Sequence, residues 1–279
     1  MTITIMLRSK PKPFMKCAHW RSLLPALVLL SVALLFVPAP TTGTQPQPNQ
    51  REIADQLLGS DLRQRNEALK AVLSIGPAKV GPELRSALIT LLERQNRIVL
   101  EAQRRQVTLD TLEDPEFISG LSRVVAELKD PKAIPALAGA LGMFTAIRPL
   151  ADFGEQAAPA VLEVVTSAHS HYSAVNDGLI TLRFMVERMK SHRLSAGILD
   201  QIRRAAEQRL SGKQYFTTLW YAIDLAVVLN DAKLRGIVKS LASNRNEVMA
   251  RGIEDAKLID LTQKRAADRI AGVPANPRP

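Results

Sequence analysis

The chain has 279 residues, of which 46% are hydrophobic and only 4% aromatic, and it carries a formal net charge of +10. This length and apolar content exclude a disordered chain and suffice for one large domain or two ordinary ones. A single cysteine excludes an intramolecular disulfide framework. Because aliphatic residues and alanine supply most of the apolar surface, the composition favours packed helices over β-sheets, and we expect an all-α protein.

An uncharged apolar run, "LLPALVLLSVALLFV" (23–37), lies close to the N-terminus. Five basic residues precede it, and no acid occurs before Glu52. Its 15 residues match the h-region of a signal peptide and fall short of the about 20 that span a bilayer comfortably. Since the positive charges flank one side only, the N-terminus is expected in the cytoplasm and the following domain outside it. We expect the chain to associate with a membrane through this segment.

The fate of this apolar segment stays open. Cleavage near Ala39 would leave Pro40 after the cut, which signal peptidase disfavours, so retention as a signal anchor is one alternative. A start at Met15 instead of Met1 would give an ordinary signal peptide. Cys17 precedes the run and is therefore not the lipidated cysteine of a lipoprotein. The domain is expected at the cell envelope, either membrane-anchored outside the cytoplasm or, if cleaved, periplasmic or secreted.

The next stretch, "PAPTTGTQPQPNQ", is rich in Pro, Thr and Gln and predicts an extended, solvated linker. The early basic residues account for half of the net charge, so the part beyond the linker is only mildly basic. The predicted organisation is a basic N-terminal region (1–21), a signal-peptide h-region or signal-anchor helix (22–37), the linker (38–50), a helical repeat domain (51–272) and a disordered tail (273–279).

From Arg51 onward the sequence is a succession of amphipathic stretches with helical period. The first two stretches predict a helical hairpin, with Gly76 ending one helix and Pro82 in the first turn of the next. The residues expected to face inward are Leu62, Ala68, Leu69, Val72 and Ile75 on the first helix and Leu84, Leu88, Leu91 and Leu92 on the second.

Asp130 and Pro131 mark the boundary between two further helices. The aspartate can cap the following helix, and the proline is tolerated in its first turn because the missing N–H would have no partner there. The seam expected inside the next helix consists of Ile134, Leu137, Ala138 and Leu141. The segments "AIPALAGAL" and "AAPAVLEVV" align 24 positions apart, and Gly76 and Gly154 lie 78 apart, which suggests two units of about 39 residues.

"DPKAIPALAGALG" and "LADFGEQAAPAVLEVV" resemble HEAT-like repeats, in particular the bacterial type related to phycobilisome-lyase repeats. The resemblance covers residues 60–167 and implies an α-solenoid of stacked antiparallel helical hairpins. Of the arginines and aspartates that cross-link many such repeats, Arg148 is the lone candidate. Beyond Ser170 the helical rhythm alone continues, and it predicts three hairpins: 173–190 with 195–212, 215–230 with 231–243, and 247–257 with 258–272.

Three patterns invite a chemical interpretation. "DFG" at 152–154 lacks the other kinase motifs and is better explained as a helix end. His169 and His171, with His192 downstream, point different ways on a helix and have no further ligands nearby, so we expect polar loop histidines and no metal site. Asp224, in an almost wholly apolar stretch, is either a perturbed functional carboxylate or a structural residue, which points along the rim of the stack or pairs with a basic neighbour. No catalytic, cofactor-binding or metal-binding residues are predicted.

The function expected is a non-enzymatic scaffold that binds unknown protein partners. One alternative, which the resemblance permits, is a chromophore-lyase-like or other enzyme-associated HEAT protein. A second is nucleic-acid binding through basic helix faces, although Asp200 and Glu207 dilute that charge, so nucleic acid is not the partner we expect. Candidate residues for an interaction surface are Tyr215, Trp220, Tyr221, Arg203, Arg204, Arg235 and Lys239.

Overall fold

The computed structural model describes residues 49–104, 115–143, 145–188, 194–272 and 274. These residues are all-helical, and no β-strand occurs among them, so the predicted fold class is confirmed at this level. The predictions for residues 1–48 lie outside the described residues, as do those for most of the tail.

Thirteen α-helices and three 3-10 turns lie within the described residues. The α-helices are α1 (Gln50–Leu58), α2 (Leu62–Ile75), α3 (Pro82–Arg104), α4 (Pro115–Glu127), α5 (Ile134–Gly139), α6 (Ile147–Phe153), α7 (Ala158–Thr166), α8 (Tyr172–Glu187), α9 (Ala196–Ser211), α10 (Phe216–Leu229), α11 (Ala232–Ser243), α12 (Arg245–Ala250) and α13 (Ala256–Ile270).

The helices form two layers, because most of them pack against the helix two positions further along the chain. One layer contains α2, α4, α6, α8, α10 and α13, and the other contains α1, α3, α5, α7, α9 and α11. Successive helices of a layer bury a continuous core that no single helical hairpin would enclose. This packing is consistent with a helical solenoid.

The closest pairs between the two layers differ from those predicted. The sequence suggested that α8 and α9 form a hairpin. In the structure, α9 packs mainly on α10 of the other layer and on α7 of its own layer. Likewise α7 packs closely on α8, and α11 on α13. The connections 167–171 and 212–215 are short, and short connections keep successive antiparallel helices together.

Most residues predicted to face inward are buried. Leu84, Leu88, Leu91 and Leu92 of α3 are fully buried, and the predicted seam that begins at Ile134 is buried as well. Ile75 is only partly buried, and Leu62 is exposed, with an exposed fraction of 39%. Leu62 is the first residue of α2, which is the first helix of its layer among the described residues.

The predicted helix boundary at Asp130 is confirmed. The Asp130 carboxylate accepts a hydrogen bond of 2.9 Å from the backbone N–H of Lys132, and Pro131 opens a 3-10 turn that runs into α5. A second 3-10 turn, which starts at Gly154, precedes α7 in the same way. Gly154 has a φ of +58°, which side chains rarely adopt, so "DFG" is a helix end as predicted.

Candidate functional site

A buried carboxylate joins three successive helices of one layer. Asp224 on α10 is 1% exposed, and its Oδ2 lies 3.3 Å from Nη1 of Arg183 on α8 and 2.6 Å from Nη2 of Arg265 on α13. Its Oδ1 lies 3.1 Å from Nε of Arg269, also on α13. Of the two interpretations left open for Asp224, pairing with basic neighbours is confirmed. The carboxylate is a structural link between repeats.

This link has a regular spacing in the sequence. Arg183, Asp224 and Arg265 lie 41 positions apart in turn, which is within the about 40–47 residues of HEAT and armadillo units. We call these three residues, with Arg269, the charged ladder. The prediction that Arg148 is the lone cross-linking candidate is therefore wrong, because the ladder uses arginines of α8 and α13, while Arg148 is an exposed residue of α6.

Hydrogen bonds between uncharged side chains occur at nearly the same separation in the sequence. The Asn176 amide donates to Thr217 Oγ1 over 3.0 Å and accepts from Thr218 Oγ1 over 2.7 Å, at separations of 41 and 42 residues. Trp220 Nε1 donates to Thr262 Oγ1 over 2.8 Å, again 42 residues away. The repeat unit in this part of the chain is thus slightly longer than the 39 residues that the glycine spacing suggested.

Trp220 and Tyr221, two predicted surface residues, belong to the surroundings of the ladder. Both are only partly exposed. The guanidinium carbon of Arg265 lies 5.2 Å from the Trp220 ring centroid and 6.0 Å from that of Tyr221, within the range of cation–π contacts. Their rings thus pack against the charged ladder.

Tyr215, the third predicted aromatic, lies instead on an open groove. Its ring stacks on that of Tyr172 with centroids 4.4 Å apart and planes tilted by 31°. The exposed fractions are 61% for Tyr215 and 40% for Tyr172. The groove has a volume of about 620 Å³ and lies where α8, α10 and α13 begin, with Val175, Thr218 and Ile253 buried in its floor. We call it the tyrosine groove.

The walls of the tyrosine groove carry charges of both signs. Arg209 and Lys213 line it, and so do Glu254 and Asp255. Arg209 also holds the end of α7, because its Nε donates to the carbonyl of Val165 over 2.7 Å. Partial burial lowers the pKa of Arg209 below its ordinary value, because desolvation disfavours the charged guanidinium. The groove thus has no excess of charge.

Backbone contacts fix the shape of the groove. The N–H of Gln214 donates to the carbonyl of Arg251 over 2.9 Å, which ties the turn before α10 to the turn before α13. Gly252 in the second turn has a φ of +86°, and a Cβ there would stand 3.6 Å from that of Lys213. Asp255 Oδ1 accepts from the N–H of Leu258 over 2.9 Å and caps α13. The hydrogen bond between Gln214 and Arg251 thus links the two sides of the groove.

The basic residues predicted for an interaction surface are mixed with polar and acidic partners. Arg203 pairs with Asp200 on its own helix, and Arg235 Nη1 donates to Asn230 Oδ1 over 2.7 Å. A neighbouring basic residue of α11, Lys233, pairs with Glu207 at 2.5 Å. The remaining predicted residues, Arg204 and Lys239, are exposed on α9 and α11. These charges form no groove with Tyr215.

The histidines take local roles where the structure describes them. Nδ1 of His171 accepts from the N–H of Ser173 over 3.4 Å and caps α8, and its ring lies 4.4 Å from that of Tyr172. His169 lies in the turn before it, and His192 lies outside the described residues. Among the described residues, no group of three or more His, Cys, Asp or Glu could hold a metal ion.

A second hollow, of about 450 Å³, lies between α3, α5 and the start of α8. Its lining is largely aliphatic and includes Val99, Leu100, Leu141 and Met143. The exposed fraction of Leu100 in this hollow is 38%, and that of Tyr215 in the tyrosine groove is 61%. This hollow offers a matched site for control substitutions.

Tyr172 is the functional candidate that sequence reasoning missed. It follows "HSH" in the sequence and was not among the predicted surface residues. Tyr172 is the first residue of α8, and Tyr215 immediately precedes α10, so the two occupy similar positions in successive helices of one layer. The two tyrosines lie 43 positions apart, close to the repeat length of 41. This spacing of 43 residues is the sequence signal that connects Tyr172 with Tyr215.

No protein-family model, no curated protein and no solved structure matches the chain. In the part of the chain that the structure describes, none of the helices has the length and apolar character needed to cross a membrane.

Proposed function

We propose that the chain is a non-enzymatic scaffold that binds a partner protein in the tyrosine groove. The observation that carries this proposal is the pair of stacked, exposed tyrosines above a floor that includes the buried side chains of Val175 and Ile253. Tyrosine is enriched in protein interfaces because a rigid ring supplies a large contact area while its hydroxyl forms hydrogen bonds. Tyr215 exposes more of its surface than a ring that serves core packing.

The architecture supports the same proposal. Buried polar side chains such as Asp224 and Asn176 are engaged with neighbouring repeats, so they serve the stack of helices. Stacked helical repeats offer extended surfaces to other proteins. The separation of 41 residues along the charged ladder supports a HEAT-like array, although the pairing of its helices is less uniform than the resemblance implies.

The pairing of Arg203 with Asp200 and of Lys233 with Glu207 weighs against the nucleic-acid alternative. A phosphate backbone attracts proteins through uncompensated positive charge, and each of these basic side chains already has an acidic neighbour. The lyase-like alternative rests on the resemblance alone.

A pull-down with the intact chain tests the proposed groove. The wild type, a Tyr172→Ala/Tyr215→Ala variant and a Leu100→Ala variant are compared as baits against envelope extract. We expect a defined set of proteins to be retained by the wild type and by Leu100→Ala and to be lost with the double variant. Identical sets from all three baits would show that the groove is not the binding surface.

We also propose that the domain acts outside the cytoplasm, since basic residues flank the apolar run 23–37 on its N-terminal side alone. Alkaline phosphatase joined after Gln50 is then expected to be active. Sedimentation of the fusion with membranes at full length would indicate an anchor, and a shortened soluble product would indicate cleavage. An inactive reporter would contradict export.

A further inference from the structure

The tyrosine groove has the properties that bind a polyproline II segment. Such a segment is extended, already ordered before binding and free of internal hydrogen bonds, so its carbonyls need donors from the groove. Tyr172 and Tyr215 offer flat rings for proline side chains and hydroxyl donors for these carbonyls. Gln214, between Lys213 and Tyr215, brings a side-chain amide to the same groove.

The charges of the groove favour an uncharged ligand. Arg209 and Lys213 are offset by Glu254 and Asp255, and Arg209 and Asp255 are also engaged with backbone groups. A strongly acidic or basic ligand would be attracted by one pair and repelled by the other. A neutral segment is repelled by neither pair of side chains.

This chain itself contains a neutral proline-rich segment. Residues 38–48, "PAPTTGTQPQP", include four prolines and no charged side chain, and the sequence predicts an extended conformation for them. Cleavage after Ala39 would leave residues 40–48 in place. The other proline-rich segment, 274–279, contains Arg278 and is therefore a poorer match to a neutral groove.

Distance favours a groove on a second molecule. The segment joins the domain at α1, and the groove lies four steps away along the layer α1, α3, α5, α7 and α9. At about 8–10 Å for each pair of packed helices, four steps amount to roughly 32–40 Å. Eleven residues in polyproline II conformation reach about 34 Å, and residues that bridge this distance are no longer available for the groove.

We propose that residues 38–48 of one copy bind the tyrosine groove of a second copy, so that the chain associates head to tail. The inference rests on the proposed function, because it takes the groove to be a protein-binding site and identifies its occupant. An interface between two different surfaces closes into a ring or continues as a chain, depending on the rotation between copies.

A labelled peptide of residues 38–48 tests the occupant directly. The receptor is the full-length chain whose Pro38, Pro40, Pro46 and Pro48 are replaced by alanine, so that its own segment does not compete. We expect saturable binding by fluorescence anisotropy, and at least tenfold weaker binding of a peptide with the four prolines changed to alanine. Adding Tyr172→Ala/Tyr215→Ala to the receptor should weaken binding at least tenfold, and adding Leu100→Ala should leave it unchanged.

Sedimentation of the full-length chain provides the second measurement. The wild type should form species larger than the monomer as its concentration rises, and the proline-to-alanine chain should not. Circular dichroism and melting curves that match the wild type show that each variant is folded. Absence of saturable peptide binding, equal binding to the receptor that lacks the two tyrosines, or preference for a 273–279 peptide would overturn the inference.

The two proposals fail separately. If envelope proteins depend on Tyr172 and Tyr215 in the pull-down while the 38–48 peptide does not bind, the groove recognises a different partner and the self-association is wrong. If neither the envelope proteins nor the peptide depends on the tyrosines, the proposed function itself is wrong.

Discussion

The helices α4 to α7 and the helices α8 to α13 are joined by different kinds of contact. Between 115 and 166, the described buried side chains are almost all aliphatic, and Ser122 is the one buried polar residue among them. Between 172 and 270, buried polar residues recur on the layer of α8, α10 and α13, namely Asn176, Asp177, Thr181, Thr218, Asp224 and Thr262.

The part of the chain whose sequence resembles HEAT-like repeats is thus not the part in which paired side chains recur at a regular spacing. The resemblance to HEAT-like repeats was found in the aliphatic part, where prolines and small residues give recognisable seams. Pairs of side chains about 41 residues apart recur in the polar part, where each pair joins one repeat to the next. A link of similar spacing that reaches the aliphatic part runs from the Asn96 side chain to the backbone carbonyl of Ala136, 40 residues away. Aliphatic seams determine how much surface is buried, and buried polar pairs determine which residues must meet, because an unpaired polar group is costly.

The largest effect is expected from a charge in the aliphatic part. Leu137→Asp places a carboxylate at a fully buried position. The cost is several kcal/mol, comparable with the about 5–15 kcal/mol stability of a whole domain, so the array should unfold. Circular dichroism and thermal melting measure this. Leu261→Asp, at a leucine that is 48% exposed, is the control and should melt like the wild type.

A melting temperature of Leu137→Asp equal to that of the wild type would show that the seam of α5 is not part of the core. The conservative variant Leu137→Met should cost less than about 1.5 kcal/mol, since it keeps the volume and the apolar character.

The next largest effect is expected from removal of the carboxylate of the charged ladder. Asp224→Ala leaves three arginines facing each other without their shared partner, and breaking a buried ion pair typically costs about 3–5 kcal/mol. Urea denaturation of the full chain measures the loss of free energy of unfolding.

A fully apolar replacement of the ladder sharpens the comparison between the two parts. The variant with Arg183→Met, Asp224→Leu, Arg265→Met and Arg269→Met removes both charge signs together and should be closer to the wild type than Asp224→Ala. If it is instead the less stable of the two, the ion pairs contribute more than the packing of aliphatic side chains at this place.

A smaller loss is expected from Asn176→Ala. The change removes the acceptor of the Thr218 hydroxyl, which is 2% exposed, and an unsatisfied buried polar group costs about 1–3 kcal/mol. The double variant Asn176→Ala/Thr218→Val removes both partners and should recover part of the loss in urea denaturation. No recovery would mean that cavity formation, not the hydrogen bond, causes the effect.

The smallest effect concerns a link between the two parts. Glu155, before α7, accepts a hydrogen bond of 2.8 Å from the N–H of Ser195, which caps α9. Hydrogen bonding to the Ser195 side chain, and then to its N–H, lowers the pKa of Glu155 below its ordinary value of 4.5. A lowered pKa means that the stabilisation is present above the unfolded-state pKa and is lost as the pH falls through the folded-state pKa. The effect is small because the carboxylate is exposed and screened.

Glu155→Gln removes this titration and keeps an acceptor for Ser195. The melting temperature of the wild type should therefore fall slightly more than that of Glu155→Gln between neutral pH and about pH 3. Equal falls would show that the bond contributes nothing measurable in solution.

Several features of the fold were predictable because they depend on local chemistry. The four leucines of α3 recur at helical spacing, and that period alone identifies the buried face. The Asp130 side chain caps the turn that leads into α5, and Gly154 ends α6 because glycine tolerates a positive φ. Leu62 was misassigned for a different reason, since the same period does not tell whether a further helix covers that face.

The candidate site was predictable only in part. Tyr215 was expected to contribute to an interaction surface, and it lies on the groove. Trp220 and Tyr221 lie further along, within α10, and contact Arg265. Because a helix rotates by about 100° at each residue, their side chains point in other directions than that of Tyr215. Tyr172 was missed because its meaning depends on a neighbour 43 positions away.

The sequence by itself determined that this chain folds as helices, where many of those helices begin and end, and which faces are apolar. These properties arise from period, capping and backbone freedom within a few residues. Only the tertiary structure decided that Arg183, Asp224 and Arg265 meet and that Tyr172 stacks on Tyr215. Residues about 40 positions apart become neighbours through the stacking of helices in a layer, and the apolar faces that drive this stacking fix no register on their own.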